Sequence, residues 1–267
     1  MLADCHTHLD RYPDEEIPQI LNRARRAGVE IVISAGVTLS SSMRCVQLAS
    51  AHSGLYTGVG LHPLYLTGQM DESTFQQLRS LALSSEKVIV ISETGLEFSK
   101  GAPDGQIQRQ AFRHQIRLAR ELNMPVVFHS VEAHQESFRI LEEERAYEVG
   151  AVMHYFQGDE KTARRCIDLG FHLSLAKPLL RLPHLQAMAA RLPLEYLLLE
   201  SDSYPQPYKP TREEWTEPRH ITDVAEKLAQ LRGMTLEEVG EVTTKNLLRL
   251  LGSRASTVQP ITAESKG

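Results

Sequence analysis

Residues 88–128 read VIVISETGLEFSKGAPDGQIQRQAFRHQIRLARELNMPVVF, and their pattern decides the fold. Short apolar runs at 88–91 and 126–128 flank a stretch in which Phe112, Ile116 and Ala119 recur at helical spacing. Apolar runs of this length are typical of buried strands, because a buried helix needs a longer one. We therefore predict a strand, a helix over 107–122 and a second strand.

The same alternation of strand and helix repeats along the whole chain. Near-continuous apolar strands separated by helices predict a parallel sheet covered on both faces, and eight such units close into a (β/α)8 TIM barrel of the α/β class. The length of 267 residues is usual for one such barrel. The predicted strands are 2–3, 31–33, 55–59, 88–91, 126–128, 151–153, 171–175 and 196–199.

The end of the barrel is marked by a helix signal. Thr235 and Glu238 form the sequence pattern of a capping box, and the helix that follows should end near Gly252. We expect one barrel domain over 1–252. Residues 253–267 are polar and lack periodicity, so we expect a disordered tail.

Charge and composition exclude several classes of protein. The formal net charge of −5 argues against long-range capture of duplex DNA, so a phosphate-bearing substrate would have to be bound locally. Three cysteines without paired spacing fit neither a disulfide framework nor a zinc ribbon. The first residues leave no room for a signal peptide, and we find no run of membrane-spanning length. We expect a cytoplasmic protein with no membrane partner.

Metal-binding side chains follow the predicted strands. Because the carboxyl ends of all strands of a parallel barrel meet on one face, residues nearly the whole chain apart should converge there. Carboxylates and imidazoles are costly to bury without partners, so their convergence indicates metal ions rather than packing. The predicted metal ligands are His6, His8, Glu93, His129, His154 and Asp202.

Other histidines are expected to play different parts. His62 follows the third strand in the sequence Gly60-Leu61-His62-Pro63, so it should reach the same face and contact substrate. Strand alternation should aim His6 and His8 together at the site and turn Cys5 the opposite way. Histidines away from the strand ends are interpreted as ordinary surface or core residues, and these are His52, His114, His134, His172, His184 and His220.

Six motifs in register resemble those of the TatD family of metal-dependent deoxyribonucleases, a branch of the amidohydrolase superfamily. The resemblance covers 1–252. The motifs are Asp4-Cys5-His6-Thr7-His8-Leu9-Asp10, Gly60-Leu61-His62-Pro63, Glu93-Thr94-Gly95-Leu96, His129-Ser130, His154-Tyr155-Phe156-Gln157-Gly158 and Glu200-Ser201-Asp202.

The resemblance implies a barrel with two divalent ions that hydrolyses phosphodiester bonds, with activity often directed at the ends of single-stranded DNA. One ion would be held by His6, His8 and Asp202, the other by His129 and His154, with Glu93 as the bridge. Asp202 would take the proton of the attacking water. Mixed imidazole and carboxylate ligands suit zinc, manganese or iron, whereas magnesium favours an oxygen-rich shell but is common in assays of the family.

The chain also departs from the family pattern. Val131 stands where the family usually has an arginine suited to bidentate phosphate binding, and valine offers no donor. Replacement cations could come from Lys177, Lys209 or Arg212. Glu97 and Ser201 replace an aspartate and a threonine, and Tyr155-Phe156-Gln157-Gly158 replaces Cys-Phe-Ser-Gly, without removing a predicted ligand.

Two alternatives remain open at this point. The first is a hydrolase of another ester or amide bond, such as aminoacyl-tRNA or a small molecule, because barrels host many chemistries. Glu93 stands where related cyclic amidases and phosphotriesterases carry a carboxylated lysine, which argues against those two groups. The second is an accessory barrel subunit of a nucleic-acid-processing complex, and a complete ligand set argues against it.

Overall fold

All eight predicted runs form strands of one parallel sheet in sequential order, which confirms the TIM-barrel prediction. The computed structural model describes residues 1–260. The strands are β1 Leu2–Thr7, β2 Val29–Ala35, β3 Leu55–Val59, β4 Val88–Glu97, β5 Val126–Val131, β6 Ala151–Met153, β7 His172–Leu175 and β8 Leu197–Leu199. The segment after β8 closes the barrel on β1, because the Asp202 amide donates to the His6 carbonyl at 3.0 Å and the His8 amide donates to the Ser203 carbonyl at 2.8 Å.

Helices cover the outside of the barrel. The helix predicted over 107–122 begins slightly earlier as α4, because the Asp104 carboxylate caps it by accepting from the Gln106 and Ile107 amides. Its Phe112 and Ile116 side chains are fully buried against the strands. The helices are α1 Ile17–Arg26, α2 Leu39–Ala51, α3 Glu72–Leu83, α4 Gly105–Leu122, α5 His134–Glu143, α6 Glu160–Asp168, α7 Pro183–Ala189, α8 Ile221–Arg232 and α9 Leu236–Leu251. In residues 1–260, no helix is long and apolar enough to cross a membrane.

The chain beyond Gly252 differs from the disordered tail expected from its polar composition. A 3-10 helix spans Gly252–Thr257, and Ala255 and Val258 pack on a cluster built from inward-facing strand residues. The Tyr56 hydroxyl donates to the Thr257 carbonyl at 3.0 Å. The prediction fails here because a few apolar contacts and backbone hydrogen bonds tie down a segment whose average composition is polar. Residues 261–267 lie outside the described part of the chain.

Strand β4 is longer than the run that predicted it. Thr94 and Gly95 pair with Phe128 and His129 of β5, so the strand continues through the polar sequence Ser92-Glu93-Thr94. Gly95 has a φ of 130°, and a Cβ there would lie 2.0 Å from the His129 carbonyl oxygen. Only glycine allows the two backbones that carry Glu93 and His129 to approach this closely.

Replacing Gly95 by alanine should therefore destabilise the barrel. The added Cβ must displace the His129 backbone and adopt a disfavoured φ, which should cost more than about 2 kcal/mol of the free energy of unfolding. Urea unfolding followed by circular dichroism measures this cost. The matched control is Gly68→Ala, where the new Cβ meets no atom within 4 Å. Equal stability of the two variants would contradict the close approach of β4 and β5.

Candidate active site

The six side chains predicted to bind metal lie together at the carboxyl end of the barrel. His6 lies in β1 and His8 directly after it, His154 follows β6, and Asp202 follows β8. Glu93 and His129 were expected after their strands, but both lie within them, because β4 and β5 continue to pair beyond their apolar runs. All six side chains nevertheless converge.

The carboxylate of Glu93 is the centre of this arrangement, and its side chain is almost fully buried. Its Oε2 atom lies 3.5 Å from Nε2 of both His6 and His8. Its Oε1 atom lies 2.8 Å from His154 Nε2 and 3.4 Å from His129 Nδ1. The two oxygens of one carboxylate thus face two pairs of imidazoles, which touch where the His6 ring stacks on that of His154.

Asp202 completes the group on the Oε2 side. Its Oδ1 atom lies 3.3 Å from His8 Nε2 and 4.0 Å from His6 Nε2. The Asp202 backbone has a φ of 47°, in the left-handed region that non-glycine residues seldom adopt. Tyr155 and Glu132, which also line the cavity at strand ends, share this conformation, so strained backbone is concentrated at the mouth of the barrel.

A second layer of acceptors orients the imidazoles. The outward Nε2 of His129 lies 2.7 Å from Glu97 Oε2. His8 Nδ1 lies 3.2 Å from the Ala35 carbonyl oxygen, and His154 Nδ1 lies 3.5 Å from Glu200 Oε1. Each acceptor favours a proton on the outward nitrogen, so that in a neutral ring the nitrogen facing Glu93 carries the lone pair that a metal ion would take. Glu200 was quoted within a motif and Glu97 as a departure from the family pattern, and neither was given a role.

His6, like His154, has a ring whose two nitrogens both lack a hydrogen-bond partner within residues 1–260. The residue is fully buried, and its ring stacks on that of His154 at 4.1 Å between centroids. A buried polar group in this state costs free energy unless a ligand satisfies it. Imidazole nitrogens and carboxylate oxygens that converge in this way fit a divalent cation.

The carboxylates of the site are held in their ionised form. Burial acts to raise the pKa of Glu93, but the facing imidazoles of His62 and His154 outweigh it and bring that pKa well below its ordinary value. Burial likewise opposes ionisation of Asp202, yet the hydrogen bond from His8 and the nearby imidazoles lower its pKa to about 2.

The imidazoles differ among themselves. Burial lowers the pKa of His6, and repulsion from His154 lowers it further. Burial also acts against a charged His154, but Glu93 and Glu200 raise its pKa well above the ordinary value. These directions favour a second ring proton on His154 and a neutral ring on His6. A cation bound there would displace this proton.

His62 was expected to contact substrate, and it also lies directly beside the Glu93 carboxylate. Its Nε2 is 3.1 Å from Glu93 Oε1, and His62, Glu93 and His129 form a group whose donor atoms all lie within 4.8 Å of one another. His62 Nδ1, however, accepts a hydrogen bond from the Leu64 amide at 3.1 Å. A neutral His62 must therefore carry its proton on Nε2, which makes it a donor toward the site.

Cys5 does not turn away from the barrel axis as alternation predicted. The pairing register of β1 shifts between Asp4 and Thr7, and the Cys5 side chain joins the inward-facing cluster. Its Sγ atom lies 3.9 Å from Glu200 Oε2, below the metal-binding residues. Burial, with Glu200 and Asp4 nearby, raises the pKa of this thiol well above its ordinary value, so it stays protonated.

A cavity of about 470 Å³ opens above these residues. Val131 lines it and is 37% exposed, so the position of the missing arginine is at the cavity wall. The three cations named as possible replacements do not line this cavity. Arg212 pairs with Glu16 and Glu217, and the Lys209 ammonium donates to the Glu214 carbonyl.

Two other basic side chains do line the cavity, and sequence reasoning missed both. Arg11 lies three residues after His8. His134 was interpreted as an ordinary surface or core histidine, but its Nδ1 lies 3.0 Å from the Ser130 hydroxyl at the cavity wall. The signal in the sequence was closeness to predicted ligands, because Arg11 is three residues from His8 and His134 is five residues from His129.

Comparison with known proteins identifies the family. Residues 3–252 match the sequence model of a family described as TatD related DNase. The chain is 33% identical over 266 residues to the uncharacterized metal-dependent hydrolase YcfH of Escherichia coli K12, covering 97% of this chain and 99% of that protein. It is 32% identical over 254 residues to the 3′-5′ ssDNA/RNA exonuclease TatD of Cronobacter turicensis, covering 91% and 94%.

A solved structure agrees with these sequence matches. The crystal structure of YJJV, a TatD homolog from Escherichia coli K12, superimposes with a TM-score of 0.84 at 27% identity and covers 93% of this chain and 97% of that one. The chain therefore belongs to the TatD-related DNase family of metal-dependent hydrolases.

Proposed function

We propose that this protein binds two divalent ions and hydrolyses phosphodiester bonds of single-stranded DNA. The observation that carries the proposal is the division of the Glu93 carboxylate, with Oε2 facing His6 and His8 and Oε1 facing His129 and His154. A carboxylate placed in this way can bridge the two ions of a two-metal hydrolase.

The orientation of each imidazole supports one assignment of ligands. His8 and His154 would bind through Nε2, and His129 would bind through Nδ1 because Glu97 occupies the other nitrogen. His6 and Asp202 complete the first site with His8, and Glu93 bridges to the second. Zinc and manganese suit this mixture of nitrogen and oxygen donors, and magnesium is the third candidate.

The protein's own side chains then divide the reaction between them. The ions would acidify an attacking water and stabilise negative charge on the phosphoryl group and the leaving oxygen. The Asp202 carboxylate, which is ionised, would take the proton from that water and pass it to the leaving oxygen as the phosphorus–oxygen bond breaks. His62 would donate its Nε2 proton in a hydrogen bond that orients the scissile group.

The choice of nucleic acid as substrate rests on the relatives and on the cavity. The Cronobacter turicensis relative carries the name of an ssDNA/RNA exonuclease. The cavity wall contains Tyr65, Tyr155 and Tyr204, and aromatic rings of this kind can stack on unpaired bases. The same wall also contains Leu64 and Val131, so an uncharged ester or amide substrate is the second candidate.

Metal content should separate a ligand from a substrate-binding histidine. His129→Asn should lower the bound metal from about two ions per chain toward about one, because it removes a ligand of the second site. His62→Asn should keep both ions and lose activity. Elemental analysis after gel filtration measures the stoichiometry, with the exposed His184→Asn as the control. Metal loss in His62→Asn equal to that in His129→Asn would contradict the assignment.

Cleavage of DNA should depend on Asp202. Metal-loaded protein should shorten end-labelled single-stranded oligonucleotides, and Asp202→Asn should lower the rate by roughly a hundredfold or more, because it removes the proton acceptor. Denaturing gels of labelled DNA and RNA follow the digestion. A rate unchanged in Asp202→Asn, or no cleavage by fully loaded protein, would contradict the nuclease assignment. Hydrolysis of small esters that disappears in the variant would favour the second candidate.

A further inference from the structure

The cavity above the candidate metal site holds one guanidinium. In the described part of the chain, Arg11 is the sole lysine or arginine in the cavity wall. Val131 in the same wall occupies the position at which the resemblance placed a phosphate-binding arginine. A phosphodiester substrate carries further phosphates on either side of the scissile one, and its capture needs a cation because the net charge of the protein is negative.

Arg11 is held at this wall by contacts with its neighbours. Its Nη2 atom donates to the Tyr65 hydroxyl at 2.8 Å, and its guanidinium carbon lies 5.8 Å from the centre of the Tyr65 ring. The Tyr65 ring in turn lies 5.6 Å from that of His62. Arg11, Tyr65 and His62 thus form a continuous side of the cavity that leads to Glu93.

Packing and hydrogen bonds hold the backbone next to Arg11 in place. Arg11 ends a 3-10 turn that begins at the fully buried Leu9, immediately after His8. The Asp10 carboxylate accepts from the Ser41 hydroxyl at 2.7 Å, and the Asp10 carbonyl accepts from Arg44 Nε at 2.6 Å. The guanidinium therefore extends from a preorganised turn, which lowers the entropy lost when it binds an anion.

The Arg11 side chain is exposed and has no carboxylate partner among residues 1–260. Arg23 and Arg212, by contrast, both form ion pairs with the buried Glu217. The hydrogen bond with Tyr65 engages one N–H of Arg11, so its other donors are available to two oxygens of one phosphate. The Tyr65 hydroxyl proton is also available as a donor, because its oxygen is the acceptor in that bond.

We propose that Arg11, positioned by Tyr65, binds the substrate phosphate next to the scissile one. Arg11 thus takes the part of the arginine that the family usually has at the position of Val131. This inference rests on the proposed phosphodiesterase function and names the residue that recognises the anion. Arg181 is the competing cation to be tested, because its charge acts on Tyr155 of the cavity wall, although Arg181 does not itself line the cavity.

The inference is tested with thymidine 5′-monophosphate as probe. Calorimetry on metal-loaded protein should show that Arg11→Met raises the dissociation constant of the nucleotide by roughly tenfold or more, because a charged hydrogen-bonding group is lost. Tyr65→Phe should weaken binding less. Arg26→Met is the matched control, because Arg26 is exposed at the end of α1, has no ion pair within residues 1–260 and does not line the cavity. Its binding should match the unmodified protein.

A gain of function makes the test specific. Val131→Arg placed in the Arg11→Met background should restore binding, because Val131 is exposed in the same wall. With an oligonucleotide substrate, Arg11→Met should raise KM by a larger factor than it lowers kcat, which loss of general stability would not do.

The outcomes also separate this inference from the proposed function. Unchanged nucleotide binding in Arg11→Met, or loss of binding in Arg181→Met but not in Arg11→Met, overturns the role of Arg11 even when DNA is cleaved. Binding that depends on Arg11 in a protein that cleaves no DNA overturns the nuclease proposal. That result supports Arg11 as the anion-binding residue for another phosphorylated substrate.

Discussion

The buried carboxylate of Glu93 is the group on which the rest of the site depends. A charge in this position is tolerated only because imidazoles from distant strands face both of its oxygens. Gly95 brings β4 close enough to β5 for His129 to be one of them, and the seam between His6 and Asp202 brings the two ends of the barrel together. The contacts that close the barrel therefore also bring the candidate metal ligands together.

Much of this arrangement could be predicted from sequence because barrel geometry is simple. Apolar runs recur at the spacing of βα units, and the carboxyl ends of parallel strands meet on one face. That rule alone placed His6 beside Asp202, which lies nearly two hundred positions further along the chain. The capping box at Thr235 marked the start of α9 because its hydrogen bonds are local.

The rest depends on tertiary contacts that leave no periodic signal. Glu93 was predicted to follow β4 but lies inside it. The strand continues there because pairing with β5 outweighs the polar character of the residues around Glu93. The pairing shift in β1 turned Cys5 inward against the expected alternation. Arg11 is one of many arginines in the sequence, and only the turn after His8 and the hydroxyl of Tyr65 distinguish it.

The account depends most directly on Glu93 as a bridge between two cations. Crystals loaded with manganese or zinc and measured at the absorption edge of the metal would locate the ions by anomalous scattering. We predict two peaks about 4 Å apart, one near Glu93 Oε2 with His6 and His8, and one near Oε1 with His129 and His154. A single peak, or two peaks on the same side of the carboxylate in fully loaded crystals, would contradict the bridging role.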